Sequence, residues 1–131
     1  ATDQQILFEV LDDGSASLMK VLAQGSDRNI KKNIESVDTA EILEKITQLP
    51  IAEWSYKTDE DSIRHLGPMS QDFYNQFELG ADDKHIAPLD GVGLALAAIQ
   101  ELKRQFDTKT QAMQEKIDEQ AKLIEQLKSQ L

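Results

Sequence analysis

The spacing of apolar and polar positions changes character along the chain. Ile6-Leu7-Phe8-Glu9-Val10-Leu11 reads as a short strand, and Asp12-Asp13-Gly14 is a strong turn signal. Ala16 to Leu22 then returns as a second strand. A lone hairpin of this size is marginal and leaves its edges open to other strands. On the residues alone it is a hairpin packed on its own domain or one that pairs with other chains. Asp38 is a good helix N-cap, and Glu41 three residues on completes a capping box. Ile42, Leu43, Ile46 and Leu49 follow as a stripe at helical spacing that Pro50 stops. Ile51, Trp54 and Tyr56 fit a strand running to the Asp59-Glu60-Asp61 turn, with a partner strand around Ile63 to Leu66. Ser70 caps a further helix carrying Phe73, Tyr74 and Phe77 and ending near Gly80.

From about Leu89 the pattern is one helix to the end. Ile99, Phe106, Met113, Gln120 and Leu127 recur every seven residues. A second line, Thr110, Ile117, Ile124 and Leu131, lies four residues after Phe106, Met113, Gln120 and Leu127. Such alternation of three and four is a coiled-coil seam. Near Leu102 the seam changes, because Lys103 takes the four-residue position; we read a handover from packing on the body to packing between chains. About forty residues of helix project on the order of 60 Å and cannot bury such a stripe alone, so the chain is expected to oligomerise. The seam residues do not themselves separate dimer from trimer. The elements add up to an α+β class: a short β-hairpin segment, a small α+β body and a long C-terminal helix forming a coiled coil.

Composition narrows the partners. At 131 residues the chain fits one compact domain plus an extension. With 40% apolar but only 5% aromatic residues, its core rests on Leu, Ile, Val and Ala. There is no cysteine, so disulfides and thiolate metal sites are excluded. No apolar run approaches a membrane span, and the first residues lack a signal peptide's basic and apolar regions, so no membrane partner is expected. The net charge of −10 is carried by residues 1–100, since from Glu101 onward six basic residues balance six acidic ones. An acidic body repels phosphate backbones, which argues against nucleic acid. The balanced tail suits charged pairs flanking a helical seam.

Candidate chemistry is sparse. Ser26 and Lys31 lie five apart at the break between the β-like and helical regions. A serine becomes a nucleophile when something takes its proton, and a desolvated lysine can do so. At this spacing alone such pairs are most often solvated turn residues. His65 and His85 stand twenty residues apart without a clustered acidic pattern, so they read as polar or hydrogen-bonded residues rather than metal ligands; no metal or other cofactor is expected. Asp12/Asp13, Asp82/Asp83 and Asp59-Glu60-Asp61 read as solvated turns. Gly91-Val92-Gly93 lacks the strand and further glycine of a dinucleotide loop and reads as a helix start.

Ser26-Asp27-Arg28 with Lys31, Asn33 and Ile34 resembles the opening signature of the intramolecular chaperone domain at the C-terminus of phage endosialidases, tail spikes and tail fibres. Leu49-Pro50 before Trp54, Arg64-His65-Leu66-Gly67 before Ser70-Gln71, and Ala98-Ile99-Gln100-Glu101-Leu102 resemble its later segments in order. Asn29 and Lys32 stand where that family usually has Arg and Glu. The resemblance implies a homotrimer in which residues 1–25 end an upstream trimeric β-stalk of the same polypeptide. Residues 26–131 would then be the chaperone domain, with a body over 26–90 and a coiled coil over 91–131. It also implies a self-cleaving serine–lysine endopeptidase, with Ser26 as nucleophile, Lys31 as general base and Gly25–Ser26 as the bond. The trimer seam would be the one read from the spacing: Ile99, Phe106, Met113, Ile117, Gln120, Ile124, Leu127 and Leu131. The implied setting is a phage virion or bacterial cell surface, with folding in the host cytoplasm if phage-encoded. A non-cleaving trimerisation or tip domain of a fibre or adhesin is the alternative.

Overall fold

The computed structural model describes residues 8–131, so Ile6 and Leu7 of the first expected strand lie outside the described residues. The chain forms two compact units. One takes in the chain up to Ser36 together with Ile51–Gly67; the other takes in Val37–Pro50 and Pro68–Leu131.

In the first unit β1 (Phe8–Val10) and β2 (Ala16–Leu18) pair antiparallel, with Glu9 opposite Ser17. Gly14, at φ 86°, takes the left-handed conformation that the turn needs and that a side chain would strain. Asp13 Oδ1 accepts the Ser15 N–H (2.9 Å) and hydroxyl (2.6 Å), and these bonds hold its carboxyl below the usual range. The second strand ends at Leu18, short of the expected Leu22. A second ribbon pairs β3 (Ala52–Trp54) with β4 (His65–Gly67), Trp54 opposite His65. Strand pairing stops before Tyr56 and starts after Ile63, so both strands are shorter or shifted relative to expectation. What holds the ribbon is aromatic: Trp54 stacks on His65 with centroids 4.8 Å apart, and Tyr56 meets both rings edge-on.

In the second unit α1 (Thr39–Gln48) begins where Asp38 accepts the Glu41 N–H at 3.1 Å. The reciprocal half of the box is replaced: Glu41 pairs with Lys45 one turn on, at 2.7 Å. Ile42, Leu43, Ile46 and Leu49 form its half-buried face, and Pro50, lacking an N–H, follows the C-cap. The helix α2 (Ser70–Phe77) has Met69 as its N-cap; Ser70 is its first helical residue and does not cap it. It ends at Phe77 because Glu78 turns left-handed at φ 52°, two residues before Gly80, which is itself left-handed at φ 90°. Pro88 opens α3 (Pro88–Ser129), where its missing N–H costs nothing.

The helix α3 has two faces. Leu94, Ala98 and Glu101 are buried, and α1 packs along this side of α3. At 100° per residue, Val92, Leu96, Ile99 and Phe106 fall on the opposite side, and all four are exposed. Among the described residues only Phe73, Leu94 and Ala98 are buried apolar side chains. So small a core cannot by itself stabilise a chain of this length.

Glu101 is the polar member of that buried face, only 2% exposed. Its carboxylate accepts from Arg104 (2.6 and 3.0 Å), Gln105 (2.8 Å) and, across to α1, Thr39 (2.9 Å). These bonds, led by that from Arg104 and then Gln105, outweigh burial and hold its pKa down to about 2 from an ordinary 4.5. A depressed carboxylate contributes stability above its unfolded pKa and loses it as pH falls through the folded one. Wild-type protein is therefore expected to lose part of its thermal stability between about pH 4.5 and about pH 2. Glu101→Gln should flatten that part of the profile and lower the neutral-pH melting temperature by on the order of 5 °C, read by circular dichroism. An unchanged acid profile in Glu101→Gln would remove the network's stabilising role.

Candidate active site

The segment around Ser26 has no buried residue, so local bonding has to shape it. Asp27 is extended (φ −62°, ψ 134°) and caps a single 3-10 turn, Arg28–Ile30. Its Oδ1 accepts the Asn29 N–H at 2.9 Å and the Asn29 side-chain amide at 3.0 Å. Ile30 N–H donates to Asp27 O, and Lys31 N–H to Arg28 O, both at 3.2 Å. The chain leaves the turn extended at Lys31 and takes a left-handed step at Asn33 (φ 54°), a residue type that tolerates it.

This turn brings the two sequence-predicted residues together: Lys31 Nζ stands 2.6 Å from Ser26 Oγ. As an ammonium it donates to the hydroxyl; as a free amine it would accept the hydroxyl proton, the arrangement a general base needs. Both side chains are exposed in the single chain. The same turn places Ile30 beside Gly25, whose Cβ, were there one, would lie 3.4 Å from Ile30 Cδ1. Lys31 thus touches the Ser26 side of the Gly25–Ser26 bond, and Ile30 fills the space where a side chain at position 25 would begin.

Other polar features stand apart from this pair. A cleft of about 470 Å³, lined by Asp13, Tyr56, Asp59 and His65 among others, contains neither Ser26 nor Lys31. His65 lies 3.7 Å from Asp59, and His85 Nδ1 is 2.9 Å from Asp82 Oδ1. The bonds that Asp82 accepts from the Lys84 amide and from His85 keep its carboxyl below the usual range. Among the described residues no group of three or more acidic or histidine side chains is arranged to hold a metal ion. The predicted seam residues Ile99, Phe106, Met113, Ile117, Gln120, Ile124 and Leu127 lie exposed along α3, Phe106 at 69%, whereas Leu131, also exposed, lies past Ser129, where the helix expected to run to the end of the sequence stops. That line continues N-terminally to Leu96 and Val92, two positions absent from the seam predicted by sequence although they keep its spacing of three and four. No helix among the described residues is long and apolar enough to cross a membrane.

Comparison with known proteins gives one family. None of the curated proteins matches the chain. The profile of the family described as Chaperone of endosialidase matches residues 26–78, from the serine of the serine–lysine contact to the left-handed residue that ends α2. The similarity noted at Ala98–Leu102 lies beyond the matched segment. From Ser26 to Glu78 the chain is therefore similar to the family described as Chaperone of endosialidase.

Proposed function

We propose that the chain belongs to a phage tail spike or tail fibre precursor, and that residues 26–131 act as its intramolecular chaperone and then detach by self-cleavage. The family match over residues 26–78 supports the chaperone role and a tail-associated setting. The observation that carries the cleavage reading is a coincidence of position: the family match begins at Ser26, the residue that Lys31 touches at 2.6 Å.

Three copies associate along the exposed line of α3 and hold the ends of three β-stalk chains, residues 1–25, in register. Tethering the ends in this way lowers the entropy cost of pairing slow, non-local strands. Lys31 takes the Ser26 hydroxyl proton and Oγ attacks the Gly25 carbonyl carbon. The C–N bond breaks, the Ser26 nitrogen leaves protonated, and water hydrolyses the resulting ester to a Gly25 carboxylate. The lysine acts as base only when desolvation disfavours its charge, and the other chains of the trimer supply that cover. Removal of the helper leaves the stalk without the element that assembled it, so unfolding becomes kinetically difficult.

Light scattering on freshly purified protein tests the assembly. The reading expects the mass of three chains at micromolar concentration. A monomer would reject it, and a dimer would reject the threefold part.

A further inference from the structure

The 3-10 turn that joins Ser26 to Lys31 has no packing to hold it. Every residue from Gly25 to Ser36 is exposed, and none of Arg28–Ile30 is buried. A single turn fixes several dihedral angles for very few hydrogen bonds, so it is unfavourable unless a side chain adds to it. One side chain does. Asp27 Oδ1 bonds both the backbone and the side-chain amide of Asn29, satisfying an N–H that the turn itself leaves free. Two distances depend on the turn that follows: Lys31 Nζ to Ser26 Oγ at 2.6 Å, and Ile30 Cδ1 to the Cβ position of Gly25 at 3.4 Å.

We propose that Asp27 is a positioning residue for cleavage: by capping the Arg28–Ile30 turn at Asn29, its side-chain oxygen lays Lys31 on Ser26 and Ile30 over Gly25. The proposal rests on the serine–lysine reading above. Asp27 touches no reacting atom. Its role needs an acceptor oxygen at that point and does not need a negative charge. Asparagine and serine, which also cap helices, therefore substitute for it, whereas alanine does not. Asn29 is a second beneficiary of the cap: its side-chain amide adds a bond that ties the turn to the same oxygen.

The test follows cleavage of the full chain with time by denaturing electrophoresis, from neutral to alkaline pH, in trimers verified by light scattering. Asp27→Ala is expected to slow cleavage about ten-fold or more with the midpoint of the pH profile unchanged, because a reactive pair is misplaced rather than retitrated. Asp27→Asn and Asp27→Ser are expected to stay within about three-fold of wild type. Wild-type rates in Asp27→Ala would overturn the proposal. So would an Asp27→Asn chain as slow as Asp27→Ala, which would point to the carboxylate charge instead. Lys31→Ala run alongside separates the two readings, since wild-type cleavage in that variant overturns the serine–lysine assignment and not the cap. A second readout stands even in a chain that stays whole. Asp27→Ala should lose hydrogen-exchange protection at the Asn29 and Lys31 amides, and Ser26→Ala should shift the Lys31 side-chain resonances only while Asp27 is present. Unchanged protection, or a shift indifferent to Asp27, would overturn the positioning role.

Discussion

Ile117→Lys or Ile124→Asp should convert an assembled protein into monomers. In the single chain both residues are about half exposed on α3, in the same seam as Phe106, Met113 and Leu127. Covering a side chain of this kind contributes about 1.5–3 kcal/mol, and each chain brings a row of them. A charge at either position puts three like charges into one apolar layer, where none has a partner, so the expected loss is several kcal/mol per trimer. Light scattering or sedimentation at micromolar concentration should then report a single-chain mass, while far-ultraviolet circular dichroism shows a loss of helix from the unsupported end of α3. On the proposal that Lys31 takes its cover from neighbouring chains, the same variants should cleave more slowly than wild type. A fully trimeric Ile117→Lys protein would place the contacts between chains somewhere other than on this line.

The second large effect is chemical. Ser26→Ala should leave the chain whole, since it removes the proposed nucleophile. Lys31→Ala should also leave it whole, because an unassisted hydroxyl is a poor nucleophile at neutral pH. Lys31→Arg is the sharper case. A guanidinium can sit near Ser26 Oγ and donate to it, yet it stays protonated and cannot take the hydroxyl proton. Retained contact with lost cleavage distinguishes a base from a residue that merely braces the turn. Each substitution is expected to lower the rate by about a hundred-fold or more, the scale on which general-base assistance operates. Equal cleavage in wild type and Lys31→Ala would indicate a contaminating protease and remove Lys31 from its role.

The sequence displays some of this architecture openly and hides the rest for physical reasons. The start of α1, its apolar stripe and its stop at Pro50 depend on local chemistry, and the structure has Asp38, Ile42 to Leu49 and Pro50 in those roles. The α+β class and the long C-terminal helix were legible from periodicity. Strand ends were not: pairing at β3 and β4 is set by how Trp54, Tyr56 and His65 stack, which alternation along the chain does not encode. Ser70 has the composition of an N-cap, yet the helix starts one residue earlier than its side chain could serve. Glu101 was hidden by its charge. It keeps the spacing of Leu94 and Ala98, and Arg104 and Gln105 three and four residues on were the available signal that a carboxylate on that face would be satisfied. At the candidate site, the types and spacing of Ser26 and Lys31 could be read directly, and the family resemblance pointed to them. Their contact could not be, because it is made by the capped turn between them, whose bonds involve Asp27 and Asn29 rather than either member of the pair.

The most direct test of the central claim is a denaturing mass measurement on freshly purified wild-type trimer, repeated over time. A chaperone that detaches itself predicts that the intact chain declines while two species grow together: one ending at Gly25 and one whose first residue is Ser26. A trimer whose mass remains that of the whole chain, or a cut at any other bond, would contradict it.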